Sequence, residues 1–265
     1  MLRYIVLIFV LTMGAGSAHA TAFDHSPWDG LLQKNVVVHD GGKATTVDYQ
    51  AMATERTILT GYLGQLAQVS RTQFDSWPRD EQLAFLINAY NAWTVELILT
   101  RYPELQSIRD AGSLFQSTWQ KKFLFLLGEK RSLDDLEHGL IRGSGRYNDP
   151  RIHFAVNCAS IGCPALKNQA YRAEILDEQL EEATVLFLSD RTRNRPANGR
   201  LQVSSIFKWY REDFAAGWRG ARSLPQFLAL YKDSLGLSET ESYELAAGDL
   251  AIVFLDYDWR LNAAD

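Results

Sequence analysis

The stretch from Pro78 to Pro103, PRDEQLAFLINAYNAWTVELILTRYP, is the segment that most constrains the fold. A proline followed by acidic residues is typical of a helix start, and Pro103 cannot continue a helix, so the stretch predicts one long helix. Apolar residues occupy nearly every side of that helix. Because such a helix is stable in water only when other elements cover it, we expect it to be central and buried.

Shorter segments of both structural types surround this helix. The sequence predicts a β-hairpin over 35–49 that turns at Asp40-Gly41-Gly42, a helix over 49–69, and a strand and turn over 121–131. It then predicts a short helix opened by Ser132 with Asp135 as its capping partner, followed by an interior strand over 149–158. The remaining elements are a helix over 173–188, a strand from 201, two helices up to about 247, and a final strand from 250. Because helices and strands mix without a regular βαβ order, we expect a single α+β domain over residues 21–265.

The first twenty residues, MLRYIVLIFVLTMGAGSAHA, have the pattern of a secretory signal peptide. Arg3 supplies the positive start, an apolar run follows, and Ala18-His19-Ala20 forms a cleavage site. The apolar run is too short to span a bilayer. No cysteine follows the cleavage point, so we expect no lipid or membrane anchor after cleavage. We therefore predict a periplasmic or secreted protein.

The charge and the cysteine content exclude two classes of protein. The chain has 27 basic and 32 acidic residues, and removal of the signal peptide would take away Arg3 and no acid. This mild acidity, spread along the chain, argues against a nucleic-acid partner. A domain of this length does not need disulfides to fold, so the two cysteines are not a structural scaffold.

Both cysteines and a histidine lie within HFAVNCASIGCP, residues 153–164. On a straight strand His153 and Cys158 would face opposite ways, roughly 16 Å apart. A catalytic Cys–His pair needs about 3 to 4 Å. A pair therefore requires the chain to bend near Asn157, which the small residues and the glycine that follow permit.

Other interpretations of the same stretch remain open. Cys163 could return to meet His153 while Cys158 packs in the core, or the two cysteines could form a disulfide in an oxidising compartment. A zinc site is weakly supported, because C-x4-C is a loose spacing and a second cysteine pair is absent. Serine-hydrolase, Walker and dinucleotide-binding motifs are not present, so we predict no metal and no cofactor.

Two helices carry polar residues on faces that should be buried. In the helix from Ser132, Glu137 falls within the apolar face and His138 lies at its edge. A buried carboxylate needs partners, which it finds in a structural hydrogen bond or in a functional site. In the long helix, Asn88 and Asn91 share one face. We expect these two amides to pin the backbone of a neighbouring loop in a structural role, and the alternative is that this loop is the one that carries the chemistry.

Four blocks taken together resemble the family catalogued as domain of unknown function 547. They are LAFLINAYNAWTVELI, SLDDLEHGLIR, DPRIHFAVNCASIGCPAL followed by AY, and IFKWYREDF, in order from about residue 80 to 214. The family is similar to papain-like thiol hydrolases with the elements in a different order. The resemblance implies helices packed on a mostly antiparallel sheet.

The resemblance also implies a site. Cys158 would be the nucleophile, His153 its base and Glu137 the group that orients the imidazole, while amides of the ASIG turn would form an oxyanion hole. Cys163 would be an accessory or redox partner. The expected substrate is a peptide, isopeptide or thioester, and a small thiol-containing ligand is also compatible. The alternative is a non-catalytic periplasmic binding or scaffold protein in which Cys158 and Cys163 form a redox staple.

Overall fold

A computed structural model describes residues 22–112 and 117–264, and the predicted signal peptide lies outside the described residues. The α-helices are α1 (Ser26–Asn35), α2 (Tyr49–Thr54), α3 (Arg56–Gln68), α4 (Arg71–Asp75), α5 (Arg79–Leu99), α6 (Leu176–Ser189), α7 (Ile206–Trp209), α8 (Arg211–Phe214), α9 (Leu224–Ala229), α10 (Lys232–Leu235) and α11 (Glu239–Ala247). A π-helix spans Asp135–Arg142, and short 3-10 helices span Asp40–Gly42, Ile108–Ala111, Thr118–Gln120, Pro150–Phe154, Ala173–Ile175 and Trp218–Gly220. Within the described ranges, no helix combines the length and apolar character needed to cross a bilayer.

The predicted central helix is confirmed as α5. It begins directly after Pro78, and two acidic residues in its first turn face the positive end of the helix dipole. Every residue from Glu81 to Leu99 is buried except Trp93, which is partly exposed. The helix is covered on all sides, as its apolar circumference requires.

The strands are short and form three separate sheets. They are β1 (Val36–His39), β2 (Ala44–Val47), β3 (Leu124–Leu126), β4 (Glu129–Arg131), β5 (Arg195–Ala197), β6 (Arg200–Ser204) and β7 (Ile252–Leu255). The pairs β1–β2, β3–β4 and β5–β6 are antiparallel, and β6–β7 is parallel. The predicted α+β class is confirmed, and pairing is mostly antiparallel, but it is divided among three small sheets rather than one.

The core consists of two apolar clusters joined by two segments. The first surrounds α5, and the second is rich in phenylalanine from α6 to α9. Helix α6 places Leu180 in the first cluster and Phe187 in the second. The 3-10 helix Pro150–Phe154 does the same with Ile152 and Phe154. The candidate cysteine loop therefore follows a segment that both clusters hold.

The interior strand predicted over residues 149–158 is wrong. Pro150–Phe154 is a 3-10 helix, opened by the Asp149 carboxylate, which accepts the backbone N–H of Arg151 at 3.0 Å. The next residues, from Val156 to Cys158, pair with no strand. A side-chain cap and a proline at the first helical position outweigh the strand preference of the β-branched residues.

The predicted helix over 49–69 is two helices, α2 and α3, separated at Glu55. The Glu55 carboxylate accepts hydrogen bonds from Lys34 Nζ at 2.7 Å and Asn35 Nδ2 at 3.1 Å. These contacts with the end of α1 accompany a non-helical backbone at Glu55. The hairpin over β1 and β2 and the capping pair of Ser132 and Asp135 are confirmed.

Candidate functional site

The chain turns sharply at Asn157, at the position where a cysteine–histidine pair would require a bend. The Asn157 side chain accepts the N–H of Ala159 at 2.8 Å and donates to the carbonyl of Pro164 at 2.7 Å. Ala159 has a φ of 56°, in the left-handed region. One buried amide thus closes both ends of the loop that carries the two cysteines, and the opposite-face geometry of a straight strand does not apply.

The long helix holds this loop through Asn91. Its side chain donates to the Ala155 carbonyl at 3.0 Å and accepts the Asn157 N–H at 2.8 Å. Asn88 pairs in the same way with the two backbone groups of Tyr171, at 2.8 and 2.9 Å. The prediction that these amides pin neighbouring backbone is confirmed. Asn91 replaces the strand partner that residues 155–157 lack.

The carboxy-terminal segment covers the other side of the loop. The N–H groups of Ile161 and Gly162 donate to the carbonyls of Arg260 and Asp258, both at 2.9 Å. A Cβ atom at Gly162 would lie 2.9 Å from the Asp258 backbone nitrogen, so the close approach requires glycine. This contact brings the Tyr257 side chain to the cysteines.

The two cysteines are free thiols in contact. Their sulfur atoms are 2.9 Å apart, longer than the roughly 2.05 Å of a disulfide bond. Cys158 Sγ also contacts the Ser160 hydroxyl at 3.3 Å and the Tyr257 hydroxyl at 3.1 Å. Cys158 is partly exposed, whereas Cys163 is buried.

These surroundings shift the pKa values of the two thiols in opposite directions. The hydrogen bond from Cys163 lowers the pKa of Cys158, with help from the hydroxyls of Ser160 and Tyr257 and against the effect of burial. Burial raises the pKa of Cys163 well above its ordinary value. Since the thiolate is the nucleophilic form, Cys158 is the more reactive of the two.

His153 is buried and held by an acid that the sequence did not single out. Its Nε2 lies 2.6 Å from Oδ2 of Asp213 in α8, and Arg142 contacts the same carboxylate at 2.5 and 3.0 Å. The imidazole stacks on Tyr210 with ring centroids 4.0 Å apart. The other ring nitrogen, Nδ1, is buried without a hydrogen-bond partner.

Burial and the neighbouring charges determine the protonation state of the His153 imidazole. Burial lowers the pKa of His153, although the hydrogen bond with Asp213 opposes that effect. Burial alone would raise the pKa of Asp213, but the hydrogen bonds from His153 and Arg142 outweigh it and keep that pKa well below its usual range. Near neutral pH the ring is therefore neutral, with its proton on Nε2 and a lone pair on Nδ1.

The structure corrects two contacts predicted for Glu137 and His153. The acid that hydrogen-bonds His153 is Asp213 rather than Glu137, which instead hydrogen-bonds the Tyr210 hydroxyl and keeps Oε1 without a partner. No hydrogen bond joins Cys158 to His153, although both residues lie in the described part of the chain. Helix α8 supplies the acid because its Phe214, a member of the second cluster, packs against the imidazole with ring centroids 5.4 Å apart.

Three of the four backbone donors predicted for the oxyanion hole in the ASIG turn already have acceptors. The N–H groups of Ala159, Ile161 and Gly162 already donate to Asn157, Arg260 and Asp258. These three N–H groups stabilise the loop and are therefore not free to bind a substrate oxygen. Near the sulfur, the hydroxyls of Ser160 and Tyr257 both contact Cys158 Sγ.

One cavity of about 230 Å³ collects the predicted residues. Cys158, His153, Glu137, His138 and Cys163 all line it, whereas Asn88 and Asn91 hold the backbone behind it. Much of the remaining wall is aromatic, from Tyr90, Trp119, Trp209, Tyr210, Tyr257 and Trp259. The arrangement can hold a ligand with apolar surface against a nucleophilic sulfur.

His138 has other partners than the thiols. Its Nδ1 accepts a hydrogen bond from Arg142 at 2.7 Å, and its Nε2 lies 3.8 Å from the Asp134 carboxylate. Its lone pair is thus engaged, which leaves His153 as the histidine of the cavity with a free acceptor nitrogen. In residues 22–112 and 117–264, no three side chains of histidine, cysteine or acid are grouped to bind a metal ion.

Sequence reasoning missed Asp213, Ser160 and Tyr257. Asp213 lies in the block IFKWYREDF, which contributed to the family resemblance, so an acid in a matched block was the available signal. Tyr257 lies beyond β7 and is brought to the loop by the backbone hydrogen bonds that join residues 159–162 to the carboxy-terminal segment. No local pattern indicates that contact.

Residues 74–188 match the model of a family described as protein of unknown function, DUF547. No curated protein and no solved structure matches the chain. The matched segment contains α5 and the cysteine loop with Glu137 and His153, whereas Asp213 and Tyr257 lie beyond it. Over this segment, which is less than half of its length, the chain is similar to the DUF547 family.

Proposed function

We propose that this protein is an exported, papain-like thiol hydrolase or acyl transferase that acts on a peptide, isopeptide or thioester bond. One observation carries the proposal. A cysteine of lowered pKa, Cys158, shares a cavity with a buried histidine whose Nε2 is held by Asp213 and whose Nδ1 is free to accept a proton. These are the parts of a nucleophile–base–acid site.

The proposed reaction begins with proton transfer from Cys158 Sγ to His153 Nδ1. The two groups are not hydrogen-bonded in the free protein, so substrate binding draws them together or a water bridges them. The sulfur then forms a bond to the acyl carbon. Asp213 stabilises the imidazolium through Nε2, as the acid of a catalytic triad does.

The hydroxyls of Ser160 and Tyr257 are the donors proposed for the developing oxyanion. Both contact Cys158 Sγ, and each contacts the other at 2.9 Å. His153 returns its proton to the leaving group as the tetrahedral intermediate collapses to a thioester on Cys158. Water, or an acceptor nucleophile, then releases the acyl group and regenerates the thiol.

The test is acylation with p-nitrophenyl acetate, followed by release of nitrophenolate and by peptide mapping. We expect a burst and one acetyl group on Cys158, both lost in Cys158→Ser and strongly slowed in His153→Gln. His138→Gln is the matched control, because it removes an imidazole of the same cavity that lacks a free nitrogen, and it should keep the burst. Acetylation of a residue other than Cys158, or an equal burst rate in the wild type and in His153→Gln, would overturn the proposal.

The contact between the sulfur atoms favours a second candidate, a binding or scaffold protein with a redox staple. Oxidation by a small disulfide would remove two electrons and two protons from Cys158 and Cys163, form their S–S bond and release two thiols. The 2.9 Å separation requires only a small movement. Reversible disulfide formation in a protein that shows no acylation in its reduced form would favour this candidate.

A further inference from the structure

The buried polar atoms that line the cavity and lack a hydrogen-bond partner are both acceptors. Glu137 Oε1 and His153 Nδ1 are buried, line the cavity and have no hydrogen-bond partner. Both are acceptors, given that the His153 proton resides on Nε2 and that Glu137 accepts from Tyr210. Among the described lining residues no buried donor is left unpaired. A ligand that satisfies this site must bring hydrogen-bond donors.

Among the described residues that line the cavity, the charged side chains other than histidine are all acidic. Asp134 and Glu137 line it, and no lysine or arginine is among its described lining residues. The two histidines are His153, kept neutral by burial, and His138, whose Nδ1 is engaged by Arg142. The Arg142 guanidinium is already paired with Asp213. The carboxylates of Asp134 and Glu137 therefore face the cavity without a lysine or arginine among the described residues that line it, which favours a positively charged ligand.

Beside Cys158 Sγ, the wall of the cavity consists of a cluster of aromatic rings. The Tyr257 and Trp259 centroids are 4.5 Å apart, and Trp209 lies 5.7 Å from Trp259 while remaining 47 % exposed. The guanidinium of Arg109 lies over Trp259 at 5.3 Å, so this cluster already binds one cation of the protein. Ring faces and carboxylates together are the environment that stabilises alkylammonium groups.

We propose that the cavity recognises a primary alkylammonium group, and that the substrate of the Cys158 site is an acyl compound bearing such an amine. The ammonium donates to Glu137 Oε1 and its alkyl chain packs on the rings of Trp209 and Tyr257. The identification of this ligand as a substrate rests on the proposed thiol chemistry, whereas its binding does not. A neutral polyol would also bring donors and stack on the rings, but it would not use the negative charge.

The test is binding to the full chain with Cys158→Ser, which cannot form an acyl-enzyme. Pentylammonium, 1-pentanol and pentanoate have the same chain length and differ in charge, and titration is followed by tryptophan fluorescence and calorimetry. We expect saturable binding of pentylammonium at least about tenfold tighter than pentanol, with pentanoate weakest. Glu137→Gln should weaken pentylammonium about tenfold and leave pentanol unchanged.

The matched control is Glu178→Gln, which removes the same charge from an exposed position on α6, and it should leave all three affinities unchanged. Asp134→Asn is a second cavity variant and should weaken pentylammonium without breaking the hydrogen bond between Glu137 and Tyr210. Equal affinity for the three probes, or loss of selectivity in the Glu178 variant alone, would overturn the inference. Failure of the thiol chemistry would instead abolish acylation of wild-type protein and leave this binding intact.

Discussion

The imidazole of His153 is held at one nitrogen and free at the other because three neighbours constrain it. Asp213 accepts from Nε2, Arg142 holds Asp213, and Tyr210 stacks on the ring. Burial keeps the ring neutral. A side chain in this state has a fixed ring and a free acceptor nitrogen, and Asp213 would stabilise its protonated form, so the acid at position 213 should matter more to the reaction than Glu137 does.

Replacing Asp213 tests this assignment. Asp213→Asn removes the charge that stabilises the imidazolium, so we expect acetylation of Cys158 to slow by about 100-fold or more. The measurement is the burst rate with p-nitrophenyl acetate at saturating ester. Glu212→Gln, an exposed neighbour in α8, should change the rate less than about threefold. Equal effects of the two substitutions would refute the role given to Asp213.

The pH dependence of alkylation tests the inequality of the thiols. Only the thiolate reacts, so a lowered pKa places the midpoint of the rate with iodoacetamide below that of a free cysteine. Cys163→Ala removes the largest cause of the lowered pKa and should move the midpoint upward. Cys163→Ser keeps a donor at that position and should retain a low midpoint. A midpoint unchanged by Cys163→Ala would contradict the proposed origin of the reactivity.

At the scale of elements, α5 acts as the frame for the cysteine loop. Asn88 and Asn91 each exchange two hydrogen bonds with a neighbouring backbone, but only Asn91 contacts the segment that carries Cys158. The two residues therefore form a matched pair, alike in structural contribution and different in their distance from the chemistry.

We expect Asn91→Ala and Asn88→Ala to cost similar free energies of unfolding, about 2–4 kcal/mol, because each leaves two buried backbone groups unpaired. Urea denaturation measures this cost. Only Asn91→Ala should also change the alkylation rate of Cys158, since it releases the backbone at Ala155 and Asn157. If both variants altered that rate equally, the loop would not depend on Asn91 for its position.

The crossing of the loop and the carboxy-terminal segment gives a second prediction at this scale. Gly162→Ala would place a Cβ 2.9 Å from Asp258 N and 3.0 Å from Asp258 O, so the two backbones must separate, at a cost of about 1–3 kcal/mol. Gly64→Ala, in the open interior of α3, should instead raise stability by about 0.5–1 kcal/mol. Thermal denaturation of both variants measures these changes, and a neutral Gly162→Ala would show that the crossing is loose.

At the scale of the whole molecule, acid should destabilise the fold through the partly buried His25 and the buried His153. Burial lowers the pKa of His25 to about 4, and its Nδ1 hydrogen-bonds the Tyr62 hydroxyl at 2.7 Å. Burial lowers the pKa of His153 as well. A histidine whose folded pKa lies below the unfolded value of about 6.5 contributes stability above that pH, and the contribution is lost as the pH falls towards the folded pKa.

For His25 we expect the free energy of unfolding to fall by about 2–3 kcal/mol between pH 7.5 and pH 4.5. Urea denaturation at both pH values should show a smaller fall in His25→Gln, because the glutamine does not titrate. His39→Gln, which changes an exposed histidine of β1, should follow the wild type. Parallel curves for wild type and His25→Gln would show that His25 does not contribute to the acid sensitivity.

The sequence alone was sufficient for features that depend on local chemistry. It predicted α5 from its two bounding prolines and apolar circumference, the hairpin from its glycine turn, and the capping pair of Ser132 and Asp135. It also predicted the pinning by Asn91, and it permitted the bend at Asn157 without predicting it. In each case the signal lies within a few residues or in a polar group that burial obliges to find a partner.

Tertiary structure alone decided which side chains surround the thiol. The strand predicted over residues 149–158 failed because Asp149 caps a 3-10 helix there and because α5, rather than a neighbouring strand, satisfies the backbone that follows. The acid on His153 comes from α8 and the hydroxyl on Cys158 from Tyr257, more than fifty residues away in each case. Periodicity describes the faces of one element, whereas contacts of this kind depend on how the two apolar clusters pack against each other, which no local pattern encodes.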